Sequence, residues 1–244
     1  MPRLIPIRLA AACALALLLL VSTTAVASAK KVEAGLRVVA KGKVLAEDTL
    51  RTGTISIPTS RKADCFGKGS GGSGKPARVA GPTALGLLGQ AAASTRSLRP
   101  LLITDSFDFG LGICGVGGFS ATTKESWYLK VNHKNPNLSG ERVKLKPGDE
   151  VLWALAKFPY PKELALEGPA EATPGLPFQV RVLSYDDNGK RKPVKGALVT
   201  GGAGPTDAQG RTTVTLAGPA VIRATHAKDI PSNGVGVCVL SVCL

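Results

Sequence analysis

The chain has 244 residues, 44% of them hydrophobic and 20% charged, with 31 lysines and arginines against 17 acids for a net charge of +14. That apolar content with so few charged residues excludes global disorder. The length exceeds one small module and suits two domains of ordinary size.

The chain opens MPRLIPIRLAAACALALLLLVSTTAVASAK: Arg3 and Arg8, an uncharged apolar run from Leu9 to Val21, then Ala27-Ser28-Ala29 as a small-x-small cleavage site. This is the layout of a secretory signal peptide, residues 1–29. The run falls short of the roughly 18 to 20 residues that span a bilayer, with an uncleaved anchor as the alternative. We expect a secreted or cell-surface protein, cleaved near Ala29. Removal of Arg3 and Arg8 leaves 29 basic residues against 17 acids, a net charge of +12. Such a charge draws a protein to anionic wall or envelope components. The charges are scattered, with no run of five or more, which also fits plain solubility. Cys13 does not match a lipoprotein signal, because the apolar run follows it, and it leaves with the leader. Cys65, Cys114, Cys238 and Cys243 remain, and an even count in an exported chain reads as disulfides.

Next, GLRVVAKGKVL (35–45) predicts a strand and the start of a hairpin. GSGGSGKP (69–76) comes within one residue of a phosphate-binding P-loop, but no buried strand precedes it and Pro76 stands where a Ser or Thr would hold magnesium. It is a flexible glycine-serine loop. GPTALGLLGQAAA (81–93) has a Pro-Thr entry and apolar residues at helical spacing. In SWYLKVN (126–132), Trp127, Leu129 and Val131 alternate with Tyr128, Lys130 and Asn132, the mark of a strand. LKPGDEVLWALA (145–156) places a Pro-Gly turn before a run that is apolar on both faces, hence a central strand. One helix on a small mixed sheet predicts an α+β domain of β-grasp kind over residues 32–158.

The succession of a first strand, the ALGLL helix, the CGVGG loop, WYLKVN and KPGDEVLWAL resembles the transcobalamin-like C-terminal domain family, a domain of unknown function in bacterial exported proteins. The resemblance covers about half the chain and implies a β-grasp-like fold. In animal vitamin B12 carriers the related domain caps one face of the corrin, so it also implies a corrinoid-type small-molecule ligand as an alternative function. By motif, Trp127, Tyr128, Asn132 and Asp149 match family-typical positions, and the first three are the candidate ligand-binding residues. The chain reads VNH, with His133 where the family commonly has Gly, and lacks the large helical partner domain of those carriers. The same residues have a structural reading: Trp127 and Trp153 as core aromatics, Asn132 and Asp149 as turn residues.

A proline-rich segment, PYPKELALEGPAEATPG, begins a second unit over residues 162–244. Short strands follow at regular spacing, among them FQVRVLSY, RTTVTLA and VGVCVL, with turn chemistry at DDNGK and TDAQG. No helix is predicted, and the unit reads as a small β-sandwich. VKGALVTGGAGPTDAQGRTTVTLAGPAVIRATH resembles bacterial immunoglobulin-like or carboxypeptidase-regulatory-like modules, which implies a spacer or adhesive role. Asp186, Asp187 and Asn188 lack the alternate ligands and distal Glu of a calcium loop. Four cysteines allow three pairings. Of these, Cys65 with Cys114 and Cys238 with Cys243 rank first, the former fastening the two loops around the helix.

His133 and His226 fall in different predicted domains, and no H-E-x-x-H, G-x-S-x-G or Cys/His zinc spacing occurs. We therefore expect no catalytic residues, no metal and no cofactor. Nucleic-acid binding is not expected either, since the basic residues are not interleaved with aromatics. No membrane span is expected beyond the leader. The sequence reads as an exported, non-enzymatic binding or interaction protein.

Overall fold

The computed structural model describes residues 31–65 and 67–239. The expected leader, Cys13 and Cys243 lie outside the described residues. In chain order the elements are β1 (Val32–Ala40), β2 (Lys43–Thr52), β3 (Ile55–Pro58), β4 (Pro76–Val79), α1 (Ala84–Ser94), β5 (Leu101–Phe107), β6 (Gly110–Val116), β7 (Phe119–Ser120), β8 (Glu125–Val131) and β9 (Glu150–Lys157). A second group follows: β10 (Glu163–Glu167), β11 (Glu171–Ala172), β12 (Phe178–Tyr185), β13 (Arg191–Pro193), β14 (Leu198–Val199), β15 (Arg211–Val214), β16 (Ala220–Ile222), β17 (Ala224–Thr225) and β18 (Val235–Val239).

The first sheet runs β2-β1-β9-β8, with β1 antiparallel to β2, parallel to β9, and β9 antiparallel to β8. Strand β9 is apolar on both faces and β1 is buried along nearly its whole length, and the two take the central places. Lys41 and Gly42 turn β1 into β2 with φ of 51° and 73°, the left-handed pair a two-residue hairpin needs. On one face, Leu36, Val38, Trp127, Leu129, Val151, Trp153 and Leu155 pack under α1. The helix starts where the Thr83 hydroxyl accepts from the Gly86 N–H at 3.0 Å, and it buries Leu85, Leu87 and Leu88. On the other face, Val39, Tyr128, Leu152, Ala154 and Ala156 meet Ile230 of the second group. The sheet is thus covered on both sides.

The α+β, β-grasp-like expectation for residues 32–158 is overturned. Of the described residues 47% are strand and 7% helical, with one α-helix among them, an all-β arrangement of several small sheets. Its two extra pieces are the hairpin β3-β4 and the three-stranded sheet β5-β6-β7. The strands of β5-β6-β7 are interrupted by Gly, Ser and Thr, and those of β3-β4 are only four residues long, so the alternation of apolar residues that marks a strand is diluted there. Both pieces still turn apolar side chains into the core, Ile57 and Val79 from β3-β4 and Ile103, Ile113 and Val116 from β5-β6.

In the second group β10-β12-β13 form a sheet that β15 joins on β12, and β11-β18-β16 and β14-β17 complete it. Leu164, Val180, Val182, Val214, Ile222 and Val237 form its apolar core. This β-rich arrangement is consistent with a β-sandwich. Among the described residues no helix is long and apolar enough to cross a membrane.

Cys65 and Cys114 form a disulfide that spans 49 residues, the pairing ranked first from the sequence. Cys238 is disulfide-bonded as well. Cys65 and Cys114 are buried in the same core as the helix, and the bond ties the start of the long glycine-serine loop to β6. Closing a loop of this length removes unfolded-state entropy worth about 4 kcal/mol. The double substitution Cys65→Ala/Cys114→Ala is expected to lower unfolding stability by about 2 to 4 kcal/mol in a urea titration, against an unchanged strand signal in circular dichroism.

Candidate functional site

Strand β8 is the edge of its sheet, and a cleft of about 550 Å³ runs along it. One wall is the turn of the β5-β6 hairpin, where the rings of Phe107 and Phe109 stack with centroids 4.8 Å apart. The other wall is the segment 135–142, which brings Leu138 and Arg142. Trp127, Tyr128, Trp153 and Tyr160 close the floor and one end. Phe109 is 60% exposed and Leu138 57% exposed, so two large apolar side chains are held open to water on opposite walls.

The walls are fixed by one carboxylate. Glu141 Oε1 accepts from the Ser139 hydroxyl at 2.9 Å and from the Leu111 N–H at 3.2 Å, bridging the loop to the hairpin. Gly110 makes this approach possible: a Cβ there would stand 1.9 Å from Glu141 Oε1, and its φ of 129° disfavours any side chain.

Behind the cleft, the second face of the sheet carries a buried polar network joined to the second group of strands. Glu163 is 3% exposed and pairs with the Arg37 guanidinium, which is itself buried and donates to Pro231 O at 2.8 Å. Lys130 is wholly buried, and its Nζ donates to Tyr185 O at 3.1 Å and Asp186 O at 2.9 Å. It lies 3.9 Å from Glu163 Oε2 and 3.8 Å from Asp187 Oδ1. The Tyr128 hydroxyl donates to Asp187 Oδ1, and its ring stacks on Tyr160 at 4.0 Å. Burial, then the hydrogen bond to Asp187, holds the Tyr128 phenol protonated far above its ordinary range. Burial pushes Lys130 below its ordinary value, with Glu163 and Asp187 opposing. Burial by itself would raise Glu163, but the adjacent His133 imidazole together with the Arg37 and Lys130 charges outweighs it and holds the carboxyl below the ordinary range.

The three residues singled out from the sequence separate in space. Trp127 and Tyr128 both line the cleft, because it lies at the strand edge where both faces meet. Asn132 does not. Its amide donates to Asp149 Oδ1 at 2.8 Å and its carbonyl accepts from the Glu150 N–H at 2.9 Å, which holds the turn after β8. His133 takes φ of 67°, a conformation suited to glycine, while its ring stacks on Tyr185 at 3.8 Å and its Nδ1 lies 3.1 Å from Glu163 Oε2. Contacts across the two groups hold this strained backbone in place. Asp186 accepts from the Asn188 and Lys190 N–H groups, an Asx turn.

Phe107, Phe109, Leu138 and Arg142 were not among the residues singled out. The spacing of Phe107 and Phe109, two apart in a polar stretch, was the one local sign that both could share a face. Leu138 and Arg142 sit in an irregular loop with no periodicity to read. Among the described residues no group of three or more His, Cys, Asp or Glu side chains could hold a metal ion.

No family model, curated protein or solved structure matches the chain.

Because Glu163 has a lowered pKa in the folded state, the stability it contributes is present above the ordinary value of 4.5 and is lost as pH falls through its folded value. Wild-type stability is therefore expected to drop on acidification below that point. Glu163→Gln removes this part of the acid slope. It also leaves the buried Arg37 without its paired anion and Lys130 with Asp187 alone, and is expected to cost about 3 to 5 kcal/mol at pH 7 by urea denaturation.

Proposed function

We propose that this is an exported binding protein that takes an apolar, aromatic ligand in the cleft along β8. It carries out no chemistry there, and is built of domains at residues 32–158 and 162–244 after a leader ending near Ala29. The observation that carries the reading is the convergence of Phe109 and Leu138, both held open to solvent, on a concave site at Trp127 and Tyr128. Ligand pockets are concave, mostly apolar and supplied with a few fixed polar groups, and clefts of this volume are of ligand size. The polar groups here are Arg142, Asn135, Asn137 and Ser126.

Two further observations favour a site outside the cytoplasm. The Cys65–Cys114 bond persists in oxidising compartments, and the chain opens with a leader-like sequence. The excess of basic residues supports retention at anionic envelope components by electrostatic attraction. The corrinoid alternative draws on the resemblance of the WYLKVN and KPGDEVLWAL segments and uses the same cleft, since Trp127 and Tyr128 line it.

The test is a fluorescence titration of the oxidised mature protein with 1-anilinonaphthalene-8-sulfonate, an aromatic anion, followed by dicyanocobinamide in competition. Saturable binding is expected, weakened about tenfold or more by Phe109→Asp, a loss of about 1.4 kcal/mol. The thermal midpoint is expected to stay unchanged, because Phe109 is mostly exposed. Absence of saturable binding, or equal binding by Phe109→Asp, refutes the cleft. Displacement by dicyanocobinamide supports the corrinoid ligand.

A further inference from the structure

Among the described residues, the open edge of β8 carries four backbone groups without partners, and they lie at the cleft. The Asn132 N–H donates to Glu150 O at 2.8 Å, which fixes the parity of the β8-β9 ladder. Residues 126, 128 and 130 bond towards β9, and residues 125, 127, 129 and 131 face away. Of these outward positions, Glu125 O accepts from the Thr122 N–H at 2.8 Å, and Val131 exchanges both of its bonds with Lys134. Trp127 and Leu129 lie between them. Among the described residues neither has a hydrogen-bond partner for its outward N–H and C=O, although the two residues are 8% and 6% exposed. Buried backbone groups are rarely left unpaired, since each costs free energy comparable to a lost hydrogen bond. The indole N–H of Trp127 is also buried without an acceptor.

We propose that the cleft receives an extended segment of another exported protein, acidic and aromatic in composition, which adds to β8 as a fifth strand. The proposal deepens the cleft reading above and rests on it. Strand addition uses main-chain hydrogen bonds for affinity and side-chain pockets at alternate positions for specificity. Trp127 and Leu129 supply a donor and an acceptor at each of two rungs, two residues apart, the repeat at which an antiparallel strand presents its own groups. Alternate side chains of the segment then face the Phe107–Phe109 stack and Leu138. Charge selects the partner. Arg142 is the one charged residue among those described as lining the cleft, and the chain as a whole is strongly basic. An acidic segment complements both, whereas a second copy of this chain would bring the same excess of positive charge to the same edge.

The test uses an end-blocked heptapeptide of alternating glutamate and phenylalanine, with two versions N-methylated on either the odd or the even residues. Binding to the oxidised mature protein is measured by calorimetry. The expected result is saturable binding that one N-methylated set weakens about tenfold or more and the other leaves intact, because only one edge of the peptide meets β8. Arg142→Glu, an exposed position whose variant is checked for fold by circular dichroism, is expected to weaken the peptide by a similar factor and to gain affinity for a lysine-phenylalanine heptapeptide. Equal tolerance of both N-methylated sets overturns strand addition. Failure of the peptide to bind while 1-anilinonaphthalene-8-sulfonate still binds overturns it but leaves the cleft reading standing. Failure of both removes both. A dimer in sedimentation that the peptide does not dissociate overturns it in favour of a second copy.

Discussion

Arg37, Lys130 and Glu163 are buried together between the first sheet and the second group of strands, and the placement of everything around the cleft follows from how their charges are satisfied. Three ionised groups in a dry seam are tolerated only when each has partners. Glu163 has Arg37, with Lys130 nearby, and His133 at its second oxygen. Lys130 has two backbone carbonyls at the end of β12. These carbonyls, with Asp187 on the Tyr128 hydroxyl, tie β8 to the second group from behind. The network fixes where the second group sits more than it adds to stability, since an apolar seam of equal volume would be about as stable.

With its rear held in this way, β8 keeps its outer edge open. An exposed strand edge is a hazard that proteins usually cover, shorten or charge. Here part of the edge is closed by local turns at Thr122 and Lys134, and the central rungs at Trp127 and Leu129 open into a shaped apolar cleft. The flanking hairpin and loop are joined through Glu141 over Gly110, so the walls are set before any ligand arrives. A site whose walls are already in place avoids much of the ordering cost of binding.

How much was legible depended on whether the signal was local. The helix at Ala84–Ser94 and the strands around Trp127 and Trp153 announced themselves through periodicity, and the Cys65–Cys114 pairing followed from the loops on either side of the helix. The α+β class did not hold, because one visible helix drew attention from weakly patterned strands such as Leu101–Phe107 and Gly110–Val116. Alternation put Lys130 and Asn132 on the face of the strand opposite Trp127. Alternation separated the two faces of β8 correctly but carried no information about what would cover each one.

The sequence by itself determined the alternating faces of β8, the doubly apolar β9, the capped helix, the left-handed turn residues and the leader-like opening, because each is encoded within a few neighbouring residues. Only the tertiary structure decided that Lys130 is buried, that Tyr128 bonds Asp187, and that Phe109, Leu138 and Trp127 share a cleft. Those contacts join segments far apart along the chain, and local periodicity has no term for a partner that arrives from another sheet.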